Sequence, residues 1–170
     1  MAKILVVHYS RTNVTGDAAT VVSGHLIGCT RETIEPLKNY AGLRGFLRAL
    51  MDAILKRSPP IKKSINDPSQ FDVVVIGTPV WGGTMATPVK TYLAQHTFKT
   101  VAFFSTQGGE SFLGNEFVQM AAASIPAIAT CAVSTKEVKD GRYVHKIISF
   151  VTAIQTSLKD HLEPDVCRHD

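Results

Sequence analysis

The chain has 170 residues, 45% hydrophobic and 19% charged, enough for one globular domain over residues 1–170 and too apolar for a disordered one. The net charge of +4 is spread along the chain, densest at Lys56-Arg57 and Lys62-Lys63, so no nucleic-acid partner is expected, and the excess suits a solvated surface or anionic substrates and partners. No apolar run reaches the roughly 20 residues of a membrane span, no leader pattern opens the chain, and three scattered cysteines, Cys29, Cys131 and Cys167, give no disulfide framework, which points to the cytoplasm.

Residues 4–8 read as a first strand, apolar on both faces as a central parallel strand is. A helix over about 16–26 follows, then a weaker strand near 30–34 that ends at Pro36. Leu43, Phe46, Leu47, Leu50 and Ile54 recur at helical spacing and predict the clearest helix of the chain, which Ser58-Pro59-Pro60 terminates. Residues 71–76 form the third strand, and Pro88 suits the first turn of a helix carrying Val89, Tyr92 and Leu93. A fourth strand over 101–104, a helix over about 115–124, a fifth strand over 127–133 and a last helix over about 143–158 complete the series. Five strands alternating with five helices predict an α/β fold, a three-layer doubly wound parallel five-stranded sheet in order 2-1-3-4-5. His161, Cys167 and His169 are irregularly spaced and read as part of a frayed tail rather than a metal site.

In that order the first and third strands are neighbours, and the chain leaves them toward opposite faces. Their carboxyl ends open the crevice where ligands of such sheets bind. The first flanking loop, Ser10-Arg11-Thr12-Asn13-Val14-Thr15, sets three hydroxyls at a helix start. There, unpaired backbone N–H groups and the helix dipole hold a phosphate without a lysine. Helix capping is the other reading of Thr15, and a solvated side chain the other reading of Arg11. The loop has neither the Gly-x-x-x-x-Gly-Lys nor the Gly-x-Gly-x-x-Gly pattern.

The second loop runs Gly77-Thr78-Pro79-Val80-Trp81-Gly82-Gly83-Thr84-Met85-Ala86. Its single Trp, between small residues, is either core or a wall for a flat aromatic ligand, and the glycines let backbone approach closely. A third loop, Ser105-Thr106-Gln107-Gly108-Gly109-Glu110, repeats the idea on the other side. His8 and Tyr9 read as strand-end packing residues, with Tyr9 bordering the site.

These residues resemble the short-chain flavodoxin-like family over nearly the whole length. Residues 10–15 follow the family's Ser/Thr-x-Thr-Gly-x-Thr phosphate loop except at Asn13, and asparagine visits left-handed backbone angles more readily than most residues. Residues 77–86 are similar to the flavin-ring loop of bacterial flavodoxin-like proteins. Residues 105–110 resemble the second ring loop, without the tyrosine that stacks on the flavin in typical flavodoxins. The insertion that splits the fifth strand of long-chain members has no room between Ala127 and Lys136.

The resemblance implies flavin mononucleotide (FMN), its phosphate on the first loop and its ring beside the other two, with the cofactor supplying the redox chemistry. Two roles stay open. One is an electron carrier that docks a protein redox partner; the other is a reductase passing electrons from NAD(P)H to a quinone or similar acceptor. A non-enzymatic FMN-binding or scaffold module is the alternative. Typical flavodoxins are strongly acidic, whereas this chain is basic, which favours an anionic hydride donor or an acidic partner. A response-regulator receiver would carry acidic residues at the first and third strand ends, and a serine hydrolase a Gly-x-Ser-x-Gly elbow; the sequence has neither. It leaves the oligomeric state open.

Overall fold

Every residue of β1 (Ile4–His8) is buried, because the strand has a neighbour on each side and helices on each face. It pairs in parallel with β2 (Thr30–Thr33) and β3 (Val73–Trp81). A two-residue strand, β4 (Thr84–Met85), turns back antiparallel on the end of β3, with Trp81 opposite Thr84. Then β5 (Val101–Gln107) pairs with β3, and β6 (Ala127–Ser134) with β5, both in parallel. The path β2-β1-β3-β5-β6 is the expected 2-1-3-4-5 order of five parallel strands. The sheet has six strands rather than five because part of the expected second loop is a hairpin built on β3.

This computed structural model describes residues 2–38, 40, 42–55, 58–81, 83–109 and 125–162. The helix expected over 115–124 lies outside them, as do Cys167 and His169. The described helices are α1 (Val14–His25), α2 (Gly42–Ile54), α3 (Thr87–Gln95), the short α4 (Thr135–Lys139) and α5 (Val144–Leu162). Pro88 stands in the first turn of α3, where a missing N–H costs nothing.

Alternation along the strands divides the core in two. Ile4 and Val6 of β1 and Val73 and Val75 of β3 pack with Ala18, Ala19 and Val22 of α1 and Ile147, Val151 and Ile154 of α5. Leu5, Val7, Val74 and Ile76 point the other way, onto Val89 and Tyr92 of α3. Both faces are therefore covered, which is why these strands read as unbroken apolar runs. One contact restricts which residue can stand at position 77 of β3. Gly77 lies opposite Phe104, and a Cβ on it would overlap the Phe104 ring. The ring occupies the space that any larger residue at 77 would need.

Candidate functional site

The loop from β1 to α1 turns on Asn13, whose φ of 66° and ψ of −10° put it in the left-handed region at the helix N-cap. The amide of the Asn13 side chain donates to Asp17 Oδ1 at 2.8 Å, and the first helical bond runs from the Asp17 N–H to the Asn13 carbonyl. No side chain caps the amides of this twelve-residue helix, so its N-terminal N–H groups remain a donor cluster. Arg31 braces the turn from outside: its guanidinium donates to the Gly16 carbonyl at 3.0 Å and to Thr20 Oγ1 at 2.8 Å. Ser10 is half-buried, and its hydroxyl oxygen is buried with no hydrogen-bond partner. Arg11 and Val14 are half-buried, while Thr12 and Asn13 are exposed.

Thr15 is buried and shares a 2.6 Å hydrogen bond with the Thr106 hydroxyl of β5. This bond ties the start of α1 directly to the strand that leads into the third loop. Ser105, fully buried beside Thr106, has a hydroxyl without a partner. Ser105, Thr106 and Gln107 belong to β5 rather than to a loop, since Thr78 and Pro79 of the longer β3 keep pairing with Ser105 and Thr106. Past them, Gly108 and Gly109 are exposed.

The second segment is likewise more regular than its Pro and Gly content implies. Thr78 is buried, donates to the Pro79 carbonyl and accepts from the Ala86 N–H, so its hydroxyl closes the hairpin. Pro79, Val80 and Trp81 are half-buried residues of β3, and Gly83, at φ +73°, makes the turn into β4. Gly82 and Glu110 lie outside the described residues. The Trp81 ring meets the edge of Tyr9 at 5.4 Å between centroids and an 87° angle, and meets Tyr40 at 5.4 Å and 53°. Tyr40, which the sequence pattern did not single out, donates from its hydroxyl to the buried carboxylate of Asp52 at 2.7 Å. Burial first, and that bond second, hold its phenol well above the usual range; burial raises Tyr9 to about 12 against the nearby Arg11 charge.

The three segments therefore meet at the carboxyl ends of the central strands, joined through Thr15–Thr106 on one side and Tyr9–Trp81 on the other. A cleft of about 400 Å³ lies beside them, between residues 9–11 and residues 33–38 with Tyr40. It opens over the β1–β2 side and has no β3 or β5 residue in its lining. Among the described residues, no group of three or more His, Cys, Asp or Glu side chains is placed to hold a metal ion, and no helix is long and apolar enough to cross a membrane.

A family model described as flavodoxin matches residues 48–150, more than half of the chain. The chain belongs to the flavodoxin family. Solved structures extend this flavodoxin likeness to the fold as a whole. A flavoprotein from Lactobacillus acidophilus, in complex with FMN, has a TM-score of 0.65 and 23% identity, covering 82% of this chain and 98% of its own. A protein from Bacteroides eggerthii gives 0.65 and 24% over 82% and 95%. The oxidised flavodoxin 2 of Bacillus cereus gives 0.58 and 16% over 92% and 99%. A search of the curated proteins returned no significant match.

Proposed function

We propose that this flavodoxin-family chain binds FMN and acts as a redox protein of the cytoplasm, either as an electron carrier or as a reductase passing electrons from NAD(P)H to a quinone-like acceptor. One observation carries the reading: the start of α1. Uncapped amides, a left-handed Asn13 in the place of the family's glycine, and the unpartnered Ser10 hydroxyl together make a seat of donors that a phosphate complements. Thr12 adds an exposed hydroxyl on the same loop, and Thr15 donates to the phosphate when Thr106 donates to Thr15. The FMN found in the Lactobacillus acidophilus flavoprotein supports the same ligand here.

Bound FMN supplies the electron chemistry, and the chain's residues hold and shape it. Trp81, backed by Tyr9 and Tyr40, walls one side of the ring's place. Thr78, Pro79, Val80 and Gly83 carry that wall, and Gln107, Gly108 and Gly109 form the opposite rim, carried on the buried Ser105 and Thr106. The net charge of +4 favours an anionic donor such as NADH or NADPH, or an acidic protein partner.

Trp81 is the single tryptophan of the chain, so its emission follows ring binding directly. Titration should give tighter binding for FMN than for riboflavin. Replacing Ser10 and Thr12 together by alanine should weaken FMN about 100- to 10,000-fold, from two lost bonds to a charged group at about 1.5–3 kcal/mol each, and leave riboflavin unchanged. Equal affinity for the two flavins would refute the phosphate seat. Anaerobic mixing then separates the two roles. Bleaching of the flavin by NADH or NADPH supports the reductase; bleaching only by a partner reductase supports the carrier.

A further inference from the structure

His8 has no part in the seat just described, yet it lies directly beneath it. The residues of β1 that face α1 and α5 are Ile4 and Val6, and His8 continues that face at the strand's end. A Cβ on Gly16, in the first turn of α1, would stand 3.6 Å from its Nε2. The ring is 4% exposed, and its Nδ1 has no hydrogen-bond partner. A buried donor or acceptor left in that state is costly and calls for an explanation.

The surroundings oppose a positive charge on the ring. Burial acts first and the Arg31 guanidinium second, bringing the pKa down to about 4 against a smaller pull from the Glu32 backbone. The positive end of the α1 dipole acts in the same direction as Arg31. The other neighbours do little to reverse this. On α1, Asp17 is exposed and engaged by the Asn13 amide. Tyr143, before α5, lies in the Asp17 field and in the same core. β3 offers Gly77 and β5 offers Phe104, neither with a charge. The Glu32 carboxylate is occupied by the N–H groups of Ile65 and Asn66 and by the Asn66 side-chain amide.

We propose that His8 is the lower half of the phosphate seat: it takes up one proton from solvent when a phosphomonoester dianion binds at the start of α1, and so selects phosphorylated over unphosphorylated flavin. A dianion on that turn reverses the sign of the local field and gives the buried ring a reason to be a cation. The proton comes from solvent, rests on the imidazole, and leaves again with the ligand; no other bond changes. The inference rests on the FMN reading above.

Calorimetric titration with FMN at about pH 6, in buffers of different ionisation enthalpy, counts the protons exchanged. A seat of amides and hydroxyls alone favours the dianion of a phosphate whose second pKa is about 6, and therefore releases protons. With His8 the expected result is net uptake for FMN, none for riboflavin, and a change of sign to release in His8→Gln and His8→Asn whose far-UV circular dichroism matches the parent. Net release by the unaltered protein, or uptake unchanged in the variants, would overturn the role of His8 while leaving tighter FMN than riboflavin binding intact. Should either variant fail to fold, the sign of exchange in the unaltered protein, with riboflavin as its control, still decides. Equal binding of FMN and riboflavin without proton exchange would remove both the seat and His8's part in it.

Discussion

Asn13 is the one non-glycine residue at positive φ among those described, and it sets the geometry of the whole β1–α1 loop. For an L-residue that conformation costs about 1–2 kcal/mol. Asparagine recovers part through its 2.8 Å bond to Asp17, an exposed bond worth about 0.5 kcal/mol. Alanine at position 13 keeps the Cβ clash that the parent also bears and loses the bond, so the expected loss is about 0.5 kcal/mol. Glycine loses the bond too but removes the clash, and should be nearly neutral. In a chain of this length 1 kcal/mol moves Tm by about 2–4 °C. Asn13→Ala should therefore melt roughly 1–2 °C below the parent, and Asn13→Gly level with it or slightly above. Differential scanning calorimetry of the flavin-free protein, with urea unfolding as a second measure, reads both. An alanine variant as stable as the glycine variant would show that residue 13 carries no left-handed strain, and the loop would need another account.

Gly77→Ala forces a Cβ into the Phe104 ring and should cost about 1–3 kcal/mol in urea unfolding, partly restored by adding Phe104→Leu; an unchanged midpoint would mean that the ring moves aside freely. Tyr40→Phe removes a donor from the buried Asp52 carboxylate, at about 1.5–3 kcal/mol, and should alter Trp81 emission because the two rings touch; no change in either measure would contradict the packing. Burial opposes ionisation of Glu137, but its contacts with Lys146 and Ser134 prevail and hold the carboxyl at about 2 rather than the usual 4.5. A lowered folded-state value means stability that is fully present above about pH 4.5 and is lost as pH falls toward 2. The gap in melting temperature between parent and Glu137→Gln should therefore close over that interval, and a gap independent of pH would rule this out.

Strands buried on both faces were legible because nothing interrupts them: residues 4–8 and 73–76 are apolar throughout and flanked by helical patterns. Their order followed from handedness and the alternation of elements. What the sequence hid were regular segments written in loop residues. Pro79 lies within β3, and its carbonyl still accepts from the Ala86 N–H, so a proline there does not end the strand. Ser105 and Thr106 are polar yet fully buried in β5, where burial depends on neighbours that no local pattern reveals. The α4 start did carry a signal, Ser134 and Glu137 at capping-box spacing, and the structure has both of its bonds. In α2 the helical spacing was right, but Leu43 and Leu47 are 77% and 53% exposed, so periodicity located the helix without telling which of its apolar residues the core covers. In the candidate site, the place of the first loop was readable, because a buried-strand pattern runs straight into a helical one there. The Thr15–Thr106 bond, the Tyr40 contact and the position of His8 are long-range and appear only in three dimensions.

The position of β1 within the sheet sets a timetable for the nascent chain. It is the first strand to be made, yet on one side it waits for β3, since Ile4 pairs with Val73 about 70 residues later. At about 5–20 residues per second of synthesis, that partner follows roughly 4–14 seconds behind. β2 comes sooner, but with four residues and one of them buried it covers only one edge. For several seconds an apolar strand with an open edge stands beside the ribosome, a template for wrong pairing. The architecture that sets β1 and β3 side by side at the centre of the sheet thus exposes the earlier strand to wrong pairing until the later one has been made.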